Sequence, residues 1–145
     1  FVLGEARFRY RGPAPAGHRV ELFGITRWDL SGQLPRQRWS ALGGTGTLPV
    51  LDILSRRGPR LLYLDATYVV PIPALRVPVL GGPRVFVRNS LGSAWAEGQE
   101  IDLEDNVSVG VRYLFLELGV AVDVTESDLP AEVLVGGSFP ARFVD

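Results

Sequence analysis

Apolar and polar residues alternate with a period of two in seven stretches of the chain, and a period of two is the signature of a strand with one apolar and one polar face. In the first stretch Val2, Gly4, Ala6, Phe8 and Tyr10 share one face and Glu5, Arg7, Arg9 and Arg11 the other. The second sets Val20, Leu22, Gly24, Thr26 and Trp28 against Arg19, Glu21, Phe23, Arg27 and Asp29. The third aligns Leu62, Leu64, Ala66, Tyr68, Val70 and Ile72, with Asp65 and Thr67 opposite. The fourth places Val85, Val87, Leu91 and Trp95 against Arg84, Arg88, Ser90 and Gly92, with Asn89 as a polar exception on the apolar side.

The run from Asn106 to Val124 holds two strands. Val107, Val109, Val111 and Tyr113 are apolar at odd positions, whereas Leu116, Leu118, Val120, Val122 and Val124 are apolar at even ones. A strand cannot change phase without a break, so a tight turn or bulge is predicted near Leu114. Arg112 then lies on the polar face of the fifth strand, and Glu117 and Asp123 on that of the sixth. The seventh groups Val133, Val135, Phe139, Ala141 and Phe143 against Glu132, Ser138 and Arg142.

The connections are marked by composition. Gly12 to Gly17 is a Pro/Gly turn, Pro73 to Pro83 is Pro-rich, and Glu97 to Asp105 is polar. The longest connection, about residues 30–59, contains Leu42-Gly43-Gly44-Thr45-Gly46-Thr47-Leu48-Pro49. Three glycines in four positions give it backbone freedom, and a long glycine-bearing loop in a β-rich chain acts as a large turn, a lid or a plug.

Every charge within a strand body falls on the polar face. Alternation alone leaves open whether the apolar face points inward, as in a soluble barrel, or outward, as in a transmembrane barrel. The aromatics favour the outward arrangement. Tyr10, Trp28, Tyr68, Trp95, Tyr113 and Phe143 lie on the apolar face near strand ends, where an interfacial girdle belongs. The polar face mixes arginine with aspartate and glutamate, as a wetted lumen does. The expected fold is therefore all-β: an antiparallel transmembrane β-barrel to which this chain supplies seven strands; that they are the last seven or so is what the resemblance described below implies.

Composition removes several chemistries. The 145 residues carry a formal net charge of -1, so no global field recruits nucleic acid. All 15 basic residues are arginine, which excludes lysine-dependent chemistry, and the absence of cysteine excludes thiol chemistry. One histidine makes no multi-histidine metal site. His18 has no nucleophile motif near it, and Glu117 and Asp123 lie about 20 Å apart along one strand face, too far for a glycosidase pair. Gly43, Gly44 and Gly46 lack the Lys-Ser/Thr sequel of a phosphate-binding loop. The expectation is a non-enzymatic protein without a cofactor. The lumen charges Arg27, Asp65, Arg88, Arg112, Glu117 and Asp123 are expected to pair with one another, Asp65 with either Arg27 or Arg88.

The run Leu34-Pro35-Arg36-Gln37-Arg38-Trp39-Ser40-Ala41-Leu42-Gly43-Gly44-Thr45-Gly46-Thr47-Leu48 resembles the loop entry of the bacterial surface antigen barrels. That family includes outer-membrane barrel-assembly translocases, two-partner secretion transporters and the barrel anchors of patatin-like autotransporters. The strands Leu61 to Pro73, Val85 to Trp95 and Val107 to Arg112 are similar to the family's later strands. The resemblance implies the C-terminal part of a barrel of about sixteen strands in the bacterial outer membrane. A preceding N-terminal half would lie outside residues 1–145. It implies lipid as one partner, a client or passenger protein as another, and a loop folded back into the lumen. The implied work is protein insertion or translocation, or anchoring of an upstream domain. Where the family has Val-Arg-Gly-aromatic this chain has Leu48-Pro49-Val50-Leu51, so a loop arginine is missing and an anchoring or passive role is favoured. The other reading is a soluble β-barrel that binds an apolar ligand in its interior.

Overall fold

The computed structural model describes residues 1–32, 34–44, 47–52, 55–75 and 81–137. The expected positions Gly46, Phe139, Ala141 and Phe143 lie outside these residues.

The chain is all-β. Seven long strands form one antiparallel sheet: β1 (Leu3–Pro13), β2 (Arg19–Asp29), β5 (Arg60–Pro71), β6 (Arg84–Trp95), β7 (Glu104–Tyr113), β8 (Leu116–Asp123) and β9 (Ala131–Gly137). Two short strands, β3 (Ser40–Leu42) and β4 (Arg56–Gly58), pair with each other in the long connection between β2 and β5. Sheet order follows chain order, β1-β2-β5-β6-β7-β8-β9, so every long strand pairs with its neighbours in sequence. Within the described residues the sheet is open, with β1 and β9 at its edges.

The first six predicted strands are the first six of these, and β9 holds the described part of the seventh, whose Ser138 and Arg142 also lie outside the described residues. The phase flip between Tyr113 and Leu116 is a hairpin: Tyr113 pairs with Leu116, and Leu114 takes the left-handed backbone with φ 54°. One boundary differs from expectation. β7 begins at Glu104 rather than Asn106, which puts Asp105 inside a strand on the apolar parity. Its carboxylate has a local partner, because the amide of Asn89, the other polar exception on that face, donates to it. The two exceptions satisfy each other at the loop end of the sheet.

The short turns 14–18 and 114–115 and the connection 72–83 gather at one end of the sheet; the longer connections 30–59, 96–103 and 124–130 gather at the other. We call these the turn end and the loop end.

The two faces are unlike. The aliphatics Leu64 (36% exposed), Val87 (48%), Val109 (52%) and Leu118 (60%) stand in the open, whereas Asp123, on the opposite face, is 1% exposed. Val122 is half-buried, as are Arg27 and Arg88. The apolar face is therefore the uncovered one. The polar face is covered at its loop end by residues of the 30–59 connection, and the chain's only cluster of buried hydrophobics among the described residues lies there: Leu42, Leu48, Leu61, Tyr63 and Ala94.

Candidate functional site

The polar face has two levels. At the loop end the 30–59 connection is seated on the sheet. The carboxylate of Asp29 starts it, accepting hydrogen bonds from the backbone N–H groups of Ser31, Gly32 and Leu34. Trp39 Nε1 donates to Leu34 O at 3.1 Å. Gly43 has φ 119°, and a Cβ there would stand 2.1 Å from Asp52 O, so only glycine fits this turn. The turn closes through Gly43 N–H to Thr47 Oγ1 at 2.9 Å and Gly44 N–H to Leu51 O at 2.9 Å.

Three contacts tie the far side of the connection to the sheet. Tyr63 donates its hydroxyl proton to Thr47 O at 3.0 Å, and Val50 N–H donates to Asn106 Oδ1 at 3.1 Å. Arg56 on β4 clasps Glu104 at the start of β7, Nε to Oε1 at 2.9 Å, and reaches Asp102 at 2.7 Å. The hydrogen bond to Glu104 raises the guanidinium above the ordinary arginine range. Leu42 and Leu48 fill the space between, Leu42 above Gly92 and Tyr63. Pro49 is buried beside Leu48.

Nearer the turn end the face carries an ion-pair network. Glu117 receives Arg88 at 2.9 Å and Arg112 at 2.8 Å. Arg112 also reaches Glu21 at 3.5 Å, and Arg88 stands 3.7 Å from Asp65. Of the two partners expected for Asp65, Arg88 is the one found. Arg27 turns instead to Glu5 and, at 3.5 Å, to Ser40 of the loop. Asp65 is further held by hydroxyl donors, Thr67 and Ser90 at 3.0 Å each. Asp123 stands apart from the arginines, accepting from the backbone N–H of Thr125 at 2.8 Å.

Under the arginines lies an apolar row. Val69, Phe86, Gly110, Gly119 and Leu134 are successive cross-strand partners from β5 to β9. The Phe86 ring is fully buried, with the guanidinium carbons of Arg88 and Arg112 at 5.1 and 5.5 Å from its centroid. A Cβ on Gly110 would stand 2.7 Å from Phe86 Cζ, so the ring occupies room that the glycine leaves. Cation–π attraction and the covering stems of the arginines bury the Phe86 ring, whereas Gly110 and Gly119 are half-buried.

The aromatics sort by type between the ends. Tyr10, Tyr68 and Tyr113 are near the turn end, Tyr10 and Tyr68 exposed and Tyr113 half-buried. The Tyr68 hydroxyl is 2.7 Å from His18 Nδ1, which gives His18 a local partner. Trp28 and Trp95 are at the loop end. Trp28 is exposed, but Trp95, placed by parity in the exposed belt, is buried at 6%. The cause is packing: the two indoles meet edge-on at 5.8 Å, and β4 lies against that end of β6.

Sequence reasoning passed over Tyr63, Phe86, Asn106 and Arg56. Tyr63 and Phe86 break the alternation by being aromatic on the polar parity, and that irregularity was the available signal. Arg56 and Asn106 gain their roles through a connection whose path the strand pattern does not encode.

Comparison of the chain with protein-family models gives no match, and comparison with curated proteins gives none either.

Proposed function

We propose that this chain is the C-terminal part of an outer-membrane β-barrel of the bacterial surface antigen type, serving protein insertion or translocation at that membrane or anchoring an upstream domain. The observation that carries this reading is the inversion of the two faces. Aliphatic side chains from β5 to β9 are exposed, while Asp65, Arg88, Arg112, Glu117 and Asp123 are buried or half-buried on the other face. Water is a poor solvent for such an apolar band and lipid a good one.

Strand length supports it. β1, β2, β5, β6 and β7 run 10 to 12 residues, against the roughly 9–11 that a tilted strand needs to cross a bilayer. The exposed Tyr10 and Tyr68 near the turn end and the exposed Trp28 at the loop end suit two interfaces. The connection 30–59 lies on the charged face, as a lumen loop does, and is seated there without a loop arginine at Pro49. Arg56 makes the charged contact from a different place in the connection. That substitution favours an anchor or passive conduit over active translocation. None of the described helices is long and apolar enough to cross a membrane.

An apolar ligand inside a soluble barrel finds less support. A cleft of 630 Å³ at the loop end is lined by Arg56, Gln99, Glu100 and Asp102 besides Ser93, Ala94, Trp95 and Ile101.

Because the chain has no cysteine, single cysteines at Leu64, Val87 and Ser108 carry nitroxide labels uniquely. In lipid vesicles, labels at Leu64 and Val87 are expected to respond to oxygen dissolved in lipid, and the label at Ser108 is expected not to. Three equally wet labels, or a monodisperse protein that stays in buffer when vesicles are offered, would overturn the reading.

A further inference from the structure

We infer that the turn end of the polar face holds a site for a small multivalent oxyanion of the phosphate or sulfate type, between Arg19 on β2, Arg84 on β6 and Arg112 on β7. Each of these strands is paired on both sides, and so is β8, which carries Glu117. The arrangement therefore does not depend on where the edges of the sheet fall.

Arg84 and Arg112 are direct cross-strand partners on one face. Side chains so placed have Cβ atoms about 5 Å apart, and like charges there oppose the pairing. Arg112 is answered by Glu117 at 2.8 Å and by Glu21 at 3.5 Å. Arg84 is exposed and has no carboxylate partner among the described residues. Its neighbour on the other side, Pro71 of β5, brings no charge. Glu21 also gathers Arg19 at 3.8 Å and Arg11 at 3.0 Å, so one carboxylate draws three guanidiniums together. Beside them Arg88 shares Glu117 with Arg112 and stands 3.7 Å from Asp65. Five guanidiniums, those of Arg11, Arg19, Arg84, Arg88 and Arg112, thus face three carboxylates, Glu21, Asp65 and Glu117. Glu132 lies three strands from Arg88, on β9, and forms no ion pair among the described residues.

The excess of positive charge is two, which a dianion offsets and a halide does not. Planar guanidinium forks match the oxygens of phosphate and sulfate, and an oxyanion beside Arg84 supplies the partner it lacks. The floor is apolar. Val69 and Phe86, both buried, continue the cross-strand row of Arg19, so water screens charge from one side only. The phosphate of a lipid headgroup is the wrong source, because these guanidiniums stand on the face opposite the exposed aliphatics. If that apolar face meets lipid, the site opens to the water-filled side of the sheet. The inference itself rests on the arginine geometry and not on the membrane reading.

The test titrates the 145-residue chain, in maltoside micelles at low salt, with inorganic pyrophosphate and follows binding by calorimetry. Pyrophosphate is expected to bind at one site, at least about tenfold more tightly than chloride at matched ionic strength. Arg84→Gln, at an exposed position, is expected to weaken it several-fold. Arg38→Gln, which removes an exposed arginine of the 30–59 connection, is expected to leave it unchanged. Glu21→Gln is expected to tighten it, since a competing carboxylate is gone. A damaged fold would weaken binding in every variant, so the opposite signs separate a site from a structural effect. Absence of binding, equal losses in Arg84→Gln and Arg38→Gln, or no tightening in Glu21→Gln would each overturn the proposal. The chain's preference for phosphatidylglycerol over phosphatidylcholine vesicles is expected to be the same with and without Arg84→Gln. A loss there to match that for pyrophosphate would give Arg84 to a headgroup and overturn the assignment. The lipid exposure of Leu64 and Val87 is read separately by the nitroxide labels, so failure of one reading is distinguishable from failure of the other.

Discussion

Glu21 on β2 and Arg112 on β7 form an ion pair at 3.5 Å, although two strands, β5 and β6, lie between them. In a flat sheet three inter-strand steps and an offset of four residues in register would separate their backbones by about 19 Å, beyond the reach of the two side chains. The pair closes because the sheet is rolled towards its polar face. Curvature, the burial of charge on the inside and the exposure of apolar residues on the outside are thus one geometric fact.

Glu117 is the hub of that inner face, bound by both Arg88 and Arg112 with its own side chain only 11% exposed. Glu117→Ala leaves two half-buried guanidiniums short of a carboxylate. The expected cost is about 2–4 kcal/mol, below the loss of a fully buried pair because Asp65 and Glu21 remain. Urea-induced unfolding in micelles, followed by tryptophan fluorescence, measures it. Glu117→Gln is expected to lose less.

The Arg56–Glu104 contact should behave as a coupled pair. Arg56→Ala strands a Glu104 side chain that is only 6% exposed. Loss of the loop's docking is expected, seen as faster hydrogen exchange at Val50 N–H. Adding Glu104→Gln removes the stranded charge, so the double variant should be less destabilised than the sum of the single changes by about 1 kcal/mol or more.

Leu48 is fully buried, with Leu42, Leu61 and Tyr63 around it. Leu48→Ala is expected to cost about 2–4 kcal/mol of loop docking. Limited proteolysis should then cut within residues 30–59 while the seven-stranded sheet resists. A uniform loss of the whole fold would show that the loop is part of the sheet's own stability.

Gly43→Ala sets a Cβ against Asp52 O in a backbone region that disfavours it. A loss of about 1–3 kcal/mol is expected. Exchange at Gly44 N–H, bonded to Leu51 O, should rise with little change at β6 or β7.

Much of this fold was legible because seven strands alternate cleanly and pair in chain order. Tyr113 and Leu116 located a hairpin from parity alone. What escaped has a common cause. Phe86, Tyr63 and Leu134 are apolar on the polar parity, and alternation treats them as noise. They are buried only because something else covers them: guanidiniums over Phe86, the loop over Tyr63. Trp95 shows the converse, since parity chose its face but a neighbouring Trp28 and β4 decided its exposure. The 30–59 connection was recognised by its glycines, yet its seat on Asn106 and Glu104 rests on residues far away in sequence, which no local pattern announces.

The direction of the two edges carries a last consequence. Each successive long strand reverses the chain, and the sheet has seven among the described residues, an odd number, so β1 and β9 both run from the loop end to the turn end. Brought together they would meet parallel. Copies inserted the same way round in one membrane would also meet parallel at β1 and β9. An all-antiparallel ring therefore needs an odd number of further strands. The nearest runs opposite to β1, and so does the one that meets β9. Counting direction alone, whatever closes this sheet is not another of itself.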